Sequence, residues 1–216
     1  PWPGAPPWPG APPWPGAPPW PRAMMWNAAG PVFGLIWLIW LALWLFWAGW
    51  AKPMAKREGI VASLGHRLPL IVAILLLVLR HVPFGLLSAP FLPPDLRLPA
   101  IALGLVLTLA GLGFTLWARA ILGGNWSSAV ALKRDHALIE TGPYRLVRHP
   151  IYLGIVLAFL GGGIALGEWR GLLAPLIAGI AFWIKLRREE GFLIAQFGSE
   201  YRAYMNRTRA LIPCLL

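Results

Sequence analysis

The sequence predicts an all-α integral membrane protein: a helical bundle of about five transmembrane helices with its polar chemistry gathered at one aqueous edge. Three observations carry that prediction. Of the 216 residues, 58% are apolar and only 12% charged, about half the roughly 25% charged content of a soluble domain. The apolar residues fall in runs near the length that crosses a bilayer. The 19 Lys and Arg, against 8 Asp and Glu for a formal charge of +11, concentrate in alternate loops. So basic a chain also suits a nucleic-acid binder, but runs such as residues 68–79 and 101–116 leave no room for that class.

Residues 1–24 precede the first span and repeat as PWPGAP, PWPGAP, PWPGAP, PWPRAM, with Trp2, Trp8, Trp14, Trp20 and Trp26 in one phase. Proline removes the amide donor and fixes φ, so an extended polyproline-like tract is expected rather than a domain. It reads as a tandem expansion, or as sequence upstream of a start at Met24 or Met25. A tryptophan-rich interfacial tether is the functional alternative.

The five spans are residues 31–50, 67–87, 100–117, 150–166 and 171–184. The second contains Arg80 and His81 and is better placed by shifting it toward residue 60. Only residues 167–170 join the fourth span to the fifth, which makes the pair an antiparallel hairpin. With five crossings, 15 Lys and Arg lie on one side and 4 (Arg22, Arg80, Arg97 and Arg170) on the other. The rule that basic loops stay inside makes the larger set cytoplasmic and puts the N-terminus outside. The organisation is then residues 1–24 as low-complexity repeat, 25–98 as two helices and a loop, and 99–216 as a three-helix core with an amphipathic tail.

Within the spans, Trp37, Trp40, Trp44 and Trp47 form one helical stripe, expected to pack against a neighbouring helix or lipid. Gly154, Gly161, Gly162 and Gly163 would let helices approach closely. The same glycines do not make a dinucleotide fingerprint, because position 166 is leucine and no strand precedes them. The single cysteine, Cys214, excludes a disulfide framework and a cysteine-based zinc site. No metal site is expected. The proline-rich stretch 80–98 is placed to shape a lipid-accessible entrance.

Polar residues concentrate in 124–152 and 185–213, and the hairpin brings the end of the first stretch beside the start of the second. Residues 141–144 form a turn, and Pro150 suits the first turn of a helix. Arg148 and His149 then stand at a helix start, where free amides and the dipole favour an anion. Glu189 and Glu190 close the fifth span and suit a cationic group. An ordinary Lys185–Glu189 surface pair is the plainer alternative. A cationic helix start beside an acidic helix end fits a zwitterionic, amino-acid-like ligand.

The run GPYRLVRHPIYLG (142–154) with the distant Glu189-Glu190 resembles the cofactor signature of the isoprenylcysteine carboxyl methyltransferase family, which related phospholipid N-methyltransferases share. Trp126-Ser127, His136, the FGSEYRAY run and Pro213 fit as well, so the resemblance covers about residues 99–213. It implies an S-adenosylmethionine-dependent membrane methyltransferase with its active site facing the cytoplasm. Cofactor binding passes to Arg148, His149, Tyr152, Glu189 and Glu190, with His136, Gly142, Pro143 and Tyr144 as neighbours. In the tail, Arg207 is expected to face the substrate as the catalytic residue; a snorkelling arginine is its alternative. Tyr201 and Tyr204 are equally well packing residues. The implied partners are a lipophilic or prenylated small molecule and membrane lipid, with no nucleic acid. Carboxyl O-methylation comes first and phospholipid N-methylation second. A nicotinamide-dependent membrane reductase and a non-catalytic membrane subunit are the alternatives from other classes.

Overall fold

The computed structural model describes residues 22–49, 54–57, 59–79, 82, 84–126, 131–133 and 138–212. Residues 1–21, Arg80, His81, Ser127, His136, Pro213 and Cys214 lie outside the described residues. The elements are α1 (Arg22–Ala48), β1 (Met54–Arg57), α2 (Ile60–Val78), α3 (Arg97–Leu122), β2 (Ala131–Lys133), α4 (Pro150–Leu166), α5 (Trp169–Phe197) and α6 (Ser199–Arg207). Short 3-10 turns cover Gly85–Ser88, Pro94–Leu96, Gly123–Asn125 and Gly142–Arg145. The helical architecture expected from the sequence is present, with one addition: β1 and β2 pair as a small antiparallel ribbon. Three helices are long and apolar enough to cross a membrane, and α2 and α4 contribute shorter apolar helices.

The second helix runs Ile60–Val78, which agrees with shifting that span toward residue 60. The fifth helix continues past its apolar stretch to Phe197, a length of 29 residues, or about 43 Å at 1.5 Å per residue. The polar segment after residue 184 stays helical because Leu, Lys, Arg and Glu are good helix formers. Glu189 and Glu190 therefore project from a continuing helix, some 30 Å along it from Trp169, near the edge of a hydrocarbon layer about 30 Å thick.

Helices α3 and α4 form the most extensive contact, followed by α2 against α5 and α4 against α5. Glycine makes the first of these possible. A Cβ on Gly154 would stand 2.5 Å from the Gly111 carbonyl oxygen, and one on Gly161 equally close to that of Gly104. Gly163 meets Gly171 of α5 in the same way. Gly162, by contrast, points only toward Leu77 at 4.0 Å. Backbone approaches backbone where lipid offers no hydrophobic gain for burying larger side chains. Tyr152, Phe159, Phe182, Leu186, Leu76 and three alanines fill the space between α2, α4 and α5. The tryptophan stripe faces the bundle: Trp37 packs edge-on against Phe159, and Trp44 edge-on against Trp126. Trp40 donates its indole hydrogen to Thr115 Oγ1 at 2.7 Å.

Few buried ionisable groups were expected in the spans beyond Arg80 and His81. The structure instead buries Arg97, Arg119, Arg170 and His66. The arginines stand at helix ends, where each finds backbone carbonyls of a neighbour. Arg97 donates to Leu166 O at 2.9 Å, at the end of α4. Arg119 donates to Trp47 O and Gly123 O, both at 2.6 Å, at the ends of α1 and α3. Arg170 donates to Leu76 O and Leu79 O at 3.1 and 2.5 Å, closing α2. The last carbonyls of a helix have no intrahelical donor and carry the negative end of its dipole, so a guanidinium is a fitting partner. These bonds also fix direction: α1, α3 and α5 run one way and α2 and α4 the other.

Replacing Gly154 with Val is expected to destabilise the bundle by about 2–3 kcal/mol through overpacking, read as a lowered unfolding temperature in detergent. Gly162→Ala, with room for its methyl, is expected to leave that temperature within experimental error.

Candidate active site

The start of α4 and the polar end of α5 meet, and the sequence around each dictates how. Gly142 adopts φ +59°, a region that side chains other than glycine rarely enter. A Cβ there would also meet Ile121 Cγ1 at 3.1 Å. The turn that follows buries Pro143 and Tyr144 and leads to His149 as N-cap and Pro150 as the first helical residue of α4. Proline lacks the donor that a first-turn position leaves unused. Gly167 then closes α4 at φ +68°. With α5 starting at Trp169, Gly167 and Glu168 are the only residues between the two helices.

Arg148 is the hub of the site. Its Nε donates to Glu190 Oε1 at 2.8 Å, and its Nη2 lies 2.7 Å from the same oxygen. Its Nη1 donates to Met205 O at 3.3 Å and to Thr208 O. The side chains of both Arg148 and Glu190 are almost wholly buried. His149 Nε2 lies 3.4 Å from Glu190 Oε1 and its Nδ1 3.7 Å from Glu189 Oε2. Tyr152 donates its hydroxyl to Glu189 Oε1 at 2.6 Å. The rings of His149, Tyr152 and Phe182 form a parallel column, with centroids 5.5 and 4.7 Å apart. The sequence-selected residues Arg148, His149, Tyr152, Glu189 and Glu190 thus form one contiguous cluster.

The tail beyond α6 closes this cluster from the side. The Arg148 amide donates to Arg209 O at 2.8 Å and the His149 amide to Ala210 O at 3.0 Å, with Val147 and Arg209 bridged in parallel. Tyr204 donates to Tyr144 O at 2.6 Å, joining α6 to the turn. These bonds change the role expected at the start of α4. The Arg148 and His149 amides are already engaged by the tail, and the Arg148 guanidinium by Glu190 and the end of α6, so a free anion site is not what the geometry presents. Arg148 holds α4, α5 and the tail together.

Arg207 takes a different place from the cluster. Its side chain is 54% exposed and pairs with Glu140, itself 27% exposed, while its guanidinium lies 5.8 Å from the Tyr204 ring. Among the described residues it touches neither Glu189 nor Glu190. Tyr201 is buried, and among the described residues neither its hydroxyl nor Gln196 Oε1 has a hydrogen-bond partner. Burial, reinforced by neighbouring negative charge, pushes the phenols of Tyr144, Tyr201 and Tyr204 well above their ordinary range, so all three keep their protons near neutral pH. Glu140, Phe182, Gln196 and the carbonyls of 205–210 had no signal in the sequence that marked them. At the opposite end of α5 from the cluster, an apolar groove of about 490 Å³ is lined by Leu86, Leu87, Ala89, Trp169, Leu172, Leu173 and Leu176, where the entrance-shaping loop was expected.

A helical membrane bundle with an acidic and aromatic cluster at one end is the class of protein that fold and site define. Residues 99–200 match the phospholipid methyltransferase family. A protein-S-isoprenylcysteine O-methyltransferase of Schizosaccharomyces pombe is 35% identical over 96 residues, 43% of this chain and 41% of that protein. A cobalt-zinc-cadmium resistance protein of Cupriavidus metallidurans is 35% identical over 114 residues, 51% of this chain and 50% of its own length. Methanethiol S-methyltransferase 1 of Bradyrhizobium diazoefficiens is 40% identical over 70 residues, 32% of this chain and 24% of that protein. The chain thus spans about half the length of these relatives or less. Residues 99–200 carry the likeness to this methyltransferase family and to the isoprenylcysteine O-methyltransferase.

Removing one partner of a buried ion pair leaves the other charge uncompensated, at about 3–5 kcal/mol. Arg148→Met and Glu190→Met are each expected to destabilise on that scale. The double variant is expected to recover part of the loss, and thermal unfolding in a double-mutant cycle measures the coupling.

Proposed function

We propose that the protein is a membrane S-adenosylmethionine-dependent methyltransferase whose acceptor is a lipophilic anion, with carboxyl O-methylation of an isoprenylcysteine-like molecule first. The observation that carries this is the Glu189–Glu190–His149–Tyr152 cluster, built from both halves of the family-matched segment. The residues fit the cofactor's chemistry. Glu189 keeps 20% of its side chain exposed, and the buried Tyr201 hydroxyl and Gln196 Oε1 have donor and acceptor capacity to spare. Gln196 follows Glu189 by two helical turns, on the same face of α5. A ligand combining ammonium, carboxylate and hydroxyl groups matches such a set.

When bound, S-adenosylmethionine supplies a methyl group on a cationic sulfur that departs as a neutral thioether. The chain's task is then mainly to position the two reactants. Glu189 contributes negative charge beside the aromatic column, and Arg148 holds Glu190 and the tail so that the pocket keeps its shape. A carboxylate acceptor is already ionised at neutral pH and needs no base. That suits a site whose three buried tyrosines hold their protons and whose Glu190 is committed to Arg148. A lipid amine, the second choice, would first have to lose a proton. Arg207, exposed beside α6, is placed to receive an acceptor's carboxylate by exchanging it for Glu140 in a two-pronged hydrogen bond. The distribution of basic residues puts this end of the bundle on the cytoplasmic side.

Membranes containing the protein, methyl-labelled S-adenosylmethionine and a prenylcysteine analogue provide the test. Label in the lipid-soluble product that base releases as methanol is the expected result. Label that resists base and stays on a lipid headgroup would replace carboxyl with N-methylation, and absence of both transfer and cofactor binding would overturn the methyltransferase reading. Glu189→Gln is expected to weaken cofactor binding at least tenfold, the scale of a charge-assisted hydrogen bond lost. Arg207→Ala is expected to leave cofactor binding unchanged and to raise the KM for the acceptor.

A further inference from the structure

The carboxylates of the cluster differ in how firmly their charge is met. Glu190 takes hydrogen bonds from Arg148 and lies beside His149. Glu189 takes a hydrogen bond from the neutral Tyr152 hydroxyl, has the His149 ring 3.7 Å from its Oε2, and has one ammonium group nearby, that of Lys185. The Lys185 ammonium lies 3.9 Å from Glu189 Oε1, beyond hydrogen-bond reach, and 5.1 Å from the centroid of the Tyr152 ring. Only 13% of its side chain is exposed. An ammonium group is strongly hydrated and has three donors to satisfy. Here it is drawn most of the way out of water, against a carboxylate and an aromatic face, with no direct hydrogen bond among the described residues to hold it.

A carboxylate beside an aromatic face is the surrounding that a compact organic cation prefers. We propose that Lys185 occupies the position of the cofactor's positive charge when the cofactor is absent, and so sets the balance of affinity between cofactor and product. This rests on the methyltransferase reading above and extends it. S-adenosylmethionine carries a sulfonium charge that S-adenosylhomocysteine lacks, while the rest of the two molecules is alike. The sulfonium-bearing ligand must displace the lysine ammonium from Glu189 and Tyr152. The neutral-sulfur ligand leaves Glu189 in need of a counterion, which the returning lysine supplies. Lys185 thereby lowers affinity for the cofactor relative to the product, and its free four-carbon stem allows it to swing out to water.

The test measures binding of S-adenosylmethionine and S-adenosylhomocysteine, by calorimetry in micelles, to the wild type and to Lys185→Met, Lys185→Gln and Lys185→Arg. Both neutral variants are expected to raise the preference for S-adenosylmethionine over S-adenosylhomocysteine by about fivefold, the scale of one displaced cation–aromatic contact. Lys185→Arg, which keeps the charge, is expected to stay near the wild-type ratio. Equal weakening of both ligands in the neutral variants would make Lys185 a direct ligand contact and overturn the proposal, as would an unchanged ratio. Wild-type protein that binds neither ligand would overturn the methyltransferase reading itself, which an altered ratio never could.

Discussion

A helix that ends in or near hydrocarbon leaves carbonyl oxygens that water cannot reach, and this bundle depends on meeting them from the side. Arg97, Arg119 and Arg170 each reach the terminal carbonyls of a neighbouring helix, and Arg148 does the same for the end of α6. Unsatisfied backbone groups in lipid cost several kcal/mol each, so the four guanidiniums decide which helix ends lie together. Arg97 and Arg119 belong to one helix, α3, with no charged residue between them. Their separation of 22 positions corresponds to about 33 Å, close to the thickness of the hydrocarbon layer.

The glycine contacts follow from the same economy of space. Once α3 and α4 are held end to end, their faces meet at Gly104 with Gly161 and at Gly111 with Gly154. Close backbone approach aims the start of α4 at the last turns of α5, and the Arg148–Glu190 cluster is the product of that aim. Arg148 differs from the other three arginines in having a carboxylate among its partners, which converts a structural cap into part of a polar pocket.

Much of this was legible in the sequence, and the limits have physical causes. The apolar runs located all five helices because burial in lipid leaves a compositional mark. The second could be shifted toward residue 60 because Arg80 and His81 interrupt the apolar run first drawn for it. The acidic end of α5 and the cationic start of α4 could be paired from the short link alone. The tail could not: the bonds from the Arg148 and His149 amides go to carbonyls of Arg209 and Ala210, and a backbone carbonyl looks the same whatever residue carries it. The arginine caps were hidden similarly, since a count of loop charges records an arginine's side of the membrane and not its partner. Motif resemblance assigned Arg207 to the substrate, while its partner in the structure is Glu140, 67 positions away along the chain, a pairing no local pattern announces.

The clasp formed by Arg148 also has a temporal side. Its partners Glu190, Met205 and Thr208 are translated after it, the last of them 60 positions later. A growing chain can insert α1 to α4 while the Arg148 guanidinium still lacks every one of them. The cluster can therefore close only once α5 is in place and the segment behind α6 has folded back beside Val147. Until then the start of α4 lacks the contacts that join it to α5 and the tail.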